Sequence, residues 1–493
     1  MTFGFRLISA RTTDRIEMSR WDLTREPRQG NSVAVSFPNP VAHRNDQNEH
    51  VSILLGRNGQ GKSRLLSAIA GSIELLASYK AKGLRKNFPL SELVYSIDGQ
   101  LHEFAFSHGK GLSLSINGAR TEISEVMLPS KVIALSMTPF DKFPIGSANQ
   151  SRLDSANPSE IYDYFGMRDR MGRASVTTLL FRAVSGLFSR SLLMDRSRIA
   201  EVFDLIGYRT NITTVFRIDS SSALRNISNG QSESEVLDHF PRSERRLTNE
   251  FRDDPEAAYK IRAAASRAID KATNNYVAVS LDVRHPLDSD VADFEQMQLL
   301  RRYGVVRLAA VEVQKKTGER IDLKQASSGE LSIAISFMSL SSSLEDNALV
   351  LIDEPETNLH PEWQSKYIDL LTNTFSMYKG CHYILATHSP LILADAPPSA
   401  TLCSVSDDVP TSGNEVSGRS TDFLLAKAFQ TISGDNSFLQ ELLVAALRLA
   451  ADGKTKDPEF VDTMSELLEM RPLIQDNPGA VELINDLEKI YKK

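Results

Sequence analysis

Residues 56–63 read Gly-Arg-Asn-Gly-Gln-Gly-Lys-Ser, a full match to the phosphate-cradling pattern G-x-x-x-x-G-K-S. Gly56, Gly59 and Gly61 let successive backbone N–H groups turn toward phosphate oxygens, with Asn58 inside the same cradle. A helix opening near Lys62 adds the positive end of its dipole. In this pattern Lys62 reaches the β- and γ-phosphates of a nucleotide and the Ser63 hydroxyl ligates Mg²⁺. Such a site needs acidic partners, and Leu349-Val350-Leu351-Ile352-Asp353-Glu354 presents two adjacent carboxylates at the end of an apolar run. Adjacent strand residues point to opposite sides, so two roles are natural: Asp353 on the metal, Glu354 on the attacking water.

The elements around these residues follow from periodicity. The apolar run Val51–Leu55 reads as a buried strand that stops at Gly56, and Leu65, Leu66, Ile69, Ile73 and Leu76 form one helical stripe ending near Gly83. Further strands are expected over 3–8, 32–37, 131–137, 276–283, 305–313, 348–352 and 382–386, with hairpin turns at Asp98-Gly99 and Asn117-Gly118. Helical patterns cover 177–194, 255–272, 333–340 and the tail, where Ala480, Leu483, Ile484, Leu487, Ile490 and Tyr491 line one stripe. That stripe suits packing on the protein's own body or a partner surface. Gln325-Ala326-Ser327-Ser328-Gly329-Glu330 opens one helix, which makes a second phosphate-friendly N-terminus.

Composition narrows the class. The chain has 493 residues, enough for about three domains. Its 56 basic and 63 acidic residues leave a net charge of −7, so any nucleic-acid contact has to be a local patch. Arg242, Arg245, Arg246 and Arg252, and Arg168, Arg170 and Arg173, are the two basic clusters, both interleaved with acids, which suits a solvated surface as well as a nucleic-acid groove. The two cysteines, Cys381 and Cys403, form neither zinc spacing nor a disulfide framework. No run reaches the roughly 18 apolar residues of a membrane helix, and the N-terminus lacks signal-peptide character, so a cytoplasmic protein without membrane contact is expected.

The order of these motifs resembles the ABC-type ATPases: P-loop, signature, Asp-Glu pair, D-loop, switch histidine. The resemblance implies a signature at Ser327, Ser328, Gly329 and Glu330, a D-loop at Thr357, Asn358, Leu359 and His360, and a γ-phosphate-sensing His388, 35 residues after Asp353. It also implies head-to-head dimers or higher oligomers, each signature completing the partner's site. The spacing of 264 residues from Ser63 to Ser327 is unlike transporter ATPases, and glycines at 166, 172, 207 and 230 interrupt any long coiled coil. Together with Asp-Glu-Pro-Glu-Thr-Asn-Leu-His-Pro, the motifs look like the SMC, RecF and OLD branch, and within it the AAA-labelled ATPase subunits of the bacterial anti-phage systems Septu and PARIS.

The resemblance thus implies an α/β fold: an ABC-type P-loop head with a mixed sheet in two parts, residues 1–145 and 276–403. A mainly helical insert is expected at 146–275, and a linker with a helical C-terminal region at 404–493. OLD-type relatives carry a Toprim nuclease, whose pattern is not found after His388; Asp288-Ser289-Asp290 reads as a solvated loop. No glutamine follows strand 131–137, where Thr138-Pro139-Phe140-Asp141 stands instead. Adenine contacts are open among Arg11, Arg15, Tyr162 and Tyr164. ATP and Mg²⁺ are the expected ligands, with Glu354 and His388 catalytic and Ser63 and Asp353 on the metal. The expected function is a slow ATPase that acts as sensor or regulator of a separate effector, a nuclease in bacterial anti-phage defence; the alternatives are a DNA-repair clamp and a scaffold in which ATP is a structural ligand.

Overall fold

A computed structural model describes residues 4–13, 15–17, 28–30, 32–37, 50–56, 59–82, 88–107, 111–145, 161–168, 174–188, 197–230, 256–405, 411–432, 436–474 and 477–492. Asn58, Arg170, Arg173, Arg242, Arg245, Arg246, Arg252 and the side chain of Arg15 lie outside the described residues.

The fold is α/β. Its centre is a seven-stranded sheet in the order Tyr162–Gly166, Val132–Ser136, Leu349–Asp353, His382–Ala386, His50–Leu55, Thr401–Ser404 and Thr411–Ser412, parallel except for the last pair. The strand ends are in register: Ser136 pairs with Asp353, Asp353 with Ala386, and Ala386 with Leu54. The carboxyl ends therefore share one edge, where open parallel sheets bind ligands.

Why these runs are apolar throughout is visible in the packing. The sheet is a wall between two cores, and residues alternate between them. Val350, Ile352, Val51, Ile53, Ile133 and Leu385 face one core, with the helices Val176–Leu187 and Ser328–Ser343. Leu349, Leu351, Leu54, Val132 and Ile384 face the other, with Leu65, Ile69 and Ile73 of the helix Lys62–Lys82. Burying each such leucine or isoleucine contributes about 1.5–3 kcal/mol, so a one-residue slip in register is strongly disfavoured.

The second core is closed by a six-stranded antiparallel sheet, Ala34–Ser36, Arg6–Thr12, Leu90–Ile97, Gln100–Ser107, Gly111–Ile116 and Ala119–Arg120. Its hairpins turn at Asp98-Gly99 and Asn117-Gly118, all four residues at positive φ as two-residue turns require. A four-stranded sheet, Tyr276–Asp282, Tyr208–Ile218, Val306–Lys315 and Arg320–Asp322, backs onto the first core with helices Ala257–Lys271 and Asp288–Arg302.

Two differences from the sequence expectations stand out. Tyr162–Gly166, within the stretch expected to be mainly helical, is an edge strand of the central sheet, and Tyr208–Ile218 is the long middle strand of the small sheet. Asp288-Ser289-Asp290 is the first turn of a helix, not a loop; acids there complement the helix dipole.

The C-terminal helices Ser437–Ala451, Pro458–Met470 and Pro478–Tyr491 have their own core. Of the tail stripe, Ala480, Ile484 and Leu487 are buried there, whereas Leu483, Ile490 and Tyr491 are exposed. Among the described residues no helix is long and apolar enough to cross a membrane.

Candidate functional site at the carboxyl edge of the sheet

The loop after His50–Leu55 leads into the helix Lys62–Lys82. Gly59 and Gly61 both take positive φ, 83° and 99°, and a side chain at Gly61 would also press on Val33 Cγ2 at 2.9 Å. Only glycine meets both demands. The loop delivers Lys62 and Ser63 to the first helical turn, beside the ends of the strands Leu349–Asp353 and His382–Ala386.

Asp353 lies on the same strand face as Leu349 and Leu351, the face that packs on that helix. Its Oδ1 accepts a hydrogen bond from Ser63 Oγ at 3.0 Å. Burial raises the Asp353 pKa to about 7, with Glu354 and Asp141 adding to the effect while the Ser63 bond and Lys62 oppose it. A buried carboxyl that resists ionisation, joined to a hydroxyl, is a donor set suited to a hard divalent cation. The residues present therefore fit Mg²⁺.

Lys62 Nζ donates to Gly56 O at 2.7 Å and lies 2.6 Å from His388 Nε2. Burial lowers the lysine pKa to about 8 against the pull of Asp353, Glu356 and Glu354. Burial and the Lys62 charge lower that of His388 to about 4. The imidazole is thus neutral near pH 7 and accepts from the ammonium through Nε2. Glu354 turns the chain out of the strand at φ 50°, and its N–H bonds Ala386 O at 2.9 Å. A non-glycine residue held in the left-handed region costs about 1 kcal/mol or more, and such strain gathers at functional sites.

The Ser328–Ser343 helix begins with a capping box. Ser327 Oγ accepts from Glu330 N at 3.3 Å, and Glu330 Oε2 accepts from Ser327 N at 2.9 Å. The same Oε2 accepts from Tyr208 Oη at 2.9 Å, which ties this cap to the small sheet. Gly329 packs so closely that an added Cβ would lie 2.8 Å from both Asn358 O and the Trp363 ring. Thr357 Oγ1 makes a long contact of 3.5 Å with Glu354 Oε2, Asn358 has φ 68°, Leu359 is buried, and His360 caps the short helix Pro361–Gln364.

Tertiary packing brings together Gly56, Gly59, Gly61, Lys62, Ser63, Asp353, Glu354 and His388, and sets Gly329 against Asn358 and Trp363. It removes other candidates. Tyr162 and Tyr164 are buried, their hydroxyls donating to Pro144 O at 2.7 Å and Asp141 Oδ2 at 2.8 Å, so neither is open to an adenine. Arg168 pairs with Asp141 at 2.6 Å rather than forming a basic surface, whereas Arg11, half exposed on the antiparallel sheet beside Glu92 at 3.2 Å, stays a candidate.

Two residues were missed from sequence. Asp141, in the segment where a glutamine was sought, is a buried acceptor for Tyr164, Arg168 and the Phe143 N–H. Glu356 is half-buried behind His388 and accepts from its N–H at 2.6 Å. The only local signal was an acid two residues beyond the Asp-Glu pair.

Residues 189–394 match the family described as "AAA domain, putative AbiEii toxin, Type IV TA system". The chain is 24% identical over 392 residues, 70% of its length and 67% of the relative's, to "Retron Vc95 probable ATPase" of Vibrio cholerae serotype O1 biovar El Tor. Among solved structures, it is similar to the recombination mediator RecF of the RecFOR pathway, with 12% identity, 83% of this chain and 99% of that one covered, and a TM-score of 0.30. An SMC head bound to the winged-helix domain of ScpA gives 13% identity, 83% and 98% coverage, and a TM-score of 0.31.

Proposed function

We propose that this chain is an ABC-type ATPase that binds ATP with Mg²⁺, hydrolyses it slowly, and regulates a separate effector, a nuclease in bacterial anti-phage defence. The observation that carries the nucleotide chemistry is the convergence of Lys62, Ser63, Asp353, Glu354 and His388 at one sheet edge. These residues come from two strand ends and a glycine loop, and join through the Ser63–Asp353 bond and the Lys62–His388 contact. The likeness to a retron ATPase over 70% of the chain supports the defence setting.

In this reading the loop N–H groups and Lys62 bind the phosphates, and the lysine exchanges the His388 ring for a γ-phosphate oxygen. Ser63 and Asp353 would hold Mg²⁺, which when bound neutralises phosphate charge. Glu354 orients water and accepts its proton, and His388 senses the γ-phosphate. Ser327–Glu330 of one copy complete the site of a second, so the active species is a head-to-head dimer or higher oligomer.

The test is the ATP turnover of wild type and Glu354→Gln, with the mass of the purified assembly, and whatever copurifies, measured with and without ATP. Loss of turnover with retained binding, and an assembly carrying a second polypeptide, are expected. Equal turnover in the two proteins removes the role of Glu354. A bare monomer that dimerises only with ATP and duplex DNA replaces the effector reading with a DNA clamp. Unchanged biological activity in Glu354→Gln favours a scaffold.

A further inference from the structure

Both carboxylate oxygens of Glu356 are spent on the loop that carries His388. Oε1 accepts from the His388 backbone N–H at 2.6 Å, and Oε2 accepts from Thr387 Oγ1 at 2.8 Å. Thr387 Oγ1 in turn accepts from Ser389 N at 2.9 Å. Ser389 Oγ caps the helix Pro390–Ala394 and donates to Gln364 Oε1 at 2.7 Å. The short loop 387–389 is therefore gripped by two residues that follow the Asp353-Glu354 pair.

Sheet register makes the grip possible. Leu349–Asp353 and His382–Ala386 are adjacent parallel strands with Asp353 opposite Ala386, and Glu354 N bonds Ala386 O. The two chains leave the sheet side by side, so the residue two past Glu354 can reach across to the residues following Ala386. Burial is a cost to a carboxylate, and it raises the Glu356 pKa against the three hydrogen bonds that favour the charge. A carboxylate kept there at such a cost, with both oxygens aimed at one loop, calls for a reason.

We infer that Glu356 is a positioning residue for hydrolysis: it fixes the backbone of His388 so that the imidazole stands at Lys62 and, in the loaded enzyme, at the γ-phosphate. It acts through His388 and touches no reacting atom. Removing it leaves the His388 N–H without its acceptor and the loop free to rotate, while the phosphate cradle stays intact. The inference rests on the ATPase reading above.

The experiment is a double-mutant cycle between Glu356→Ala and His388→Ala. It reads steady-state turnover, affinity for a fluorescent ATP analogue, and thermal unfolding. Glu356→Ala is expected to lower kcat by roughly ten- to a hundredfold with nucleotide affinity kept within about threefold. Glu356→Gln, which keeps an acceptor for the His388 N–H, is expected to recover to within about fivefold of wild type. In the His388→Ala background, Glu356→Ala is expected to add less than about twofold. Should Glu356→Ala not fold, Thr387→Val, which removes one arm of the grip at constant shape, carries the same cycle. Additive losses, a fall in affinity matching the fall in kcat, or a glutamine as damaging as alanine in a folded protein overturns the positioning role. Equal rates in wild type and Glu354→Gln overturn the ATPase reading, and this inference with it. A normal Glu354→Gln loss beside an additive cycle overturns this inference alone.

Discussion

Lys62 Nζ lies 2.6 Å from His388 Nε2, so the two side chains that the proposed function assigns to the γ-phosphate hold each other. Because the imidazole is neutral, it offers the ammonium one acceptor that a phosphate oxygen must displace. The two side chains therefore have separable effects on binding. Lys62→Ala is expected to weaken affinity for a fluorescent ATP analogue by about a hundredfold or more, since a charge-assisted contact is lost. His388→Ala is expected to leave affinity within about threefold, or tighten it, while turnover falls. A large affinity loss in His388→Ala would show that the ring binds rather than gates.

Asp353 works against folding. Its burial raises its pKa to about 7, so near neutrality its ionised form is costly without a cation. Asp353→Asn is expected to raise the melting temperature of the metal-free protein by a few degrees, about 1 kcal/mol. The same change should abolish the added stability that Mg²⁺ with ATP confers on wild type. Thermal unfolding with and without Mg²⁺–ATP checks both; a variant less stable than wild type would count against the cost assigned to this carboxyl.

Gly329 leaves no room for a side chain between Asn358 O and Trp363. Both neighbours are hard to move, one being backbone and the other a large ring. Gly329→Ala is expected to cost about 1–3 kcal/mol, read as a lower denaturant midpoint, and to displace the 357–360 loop. Unchanged stability together with unchanged turnover would remove any need for the close approach.

His50 and His382 are buried with ring centroids 4.9 Å apart, and His382 joins the two large sheets by accepting from Leu7 N at 3.0 Å while its Nε2 meets Ser52 Oγ at 2.9 Å. Burial, with Arg6 nearby, lowers the His50 pKa from 6.5 to about 3, and burial lowers that of His382 well below its ordinary value. Both are neutral in the fold and free to protonate when unfolded, so the stability they contribute is whole above pH 6.5 and is lost as pH falls toward 3. Each group adds about 1.4 kcal/mol of loss per pH unit in that window. Raised carboxyls such as Asp353 and Glu356 act in the opposite sense, so the informative quantity is a difference: His50→Leu should lose less stability than wild type between pH 7.5 and 5.5. Parallel curves would exclude the pair as a source of acid sensitivity.

Local sequence determined a good deal of this protein. A glycine loop needing positive φ, an apolar run ending in two acids, and a helical stripe after Lys62 each encode their own conformation within a few residues, because turn chemistry and side-chain periodicity act at short range. Period-two alternation even sets which acid meets the helix: Asp353 shares the face of Leu349 and Leu351. Other matters were left to the tertiary structure, because they depend on which distant segments become neighbours. Glu356 became a clamp on His388 only when two strands paired Asp353 with Ala386. Tyr162 and Tyr164 stayed among the candidates for an adenine contact until their segment joined the sheet edge and buried them. Tyr208 met Glu330, 122 residues away, only through the small sheet packed against the core. Residue type and spacing specify what a side chain can do; long-range pairing and burial decide what stands beside it, and therefore what it does.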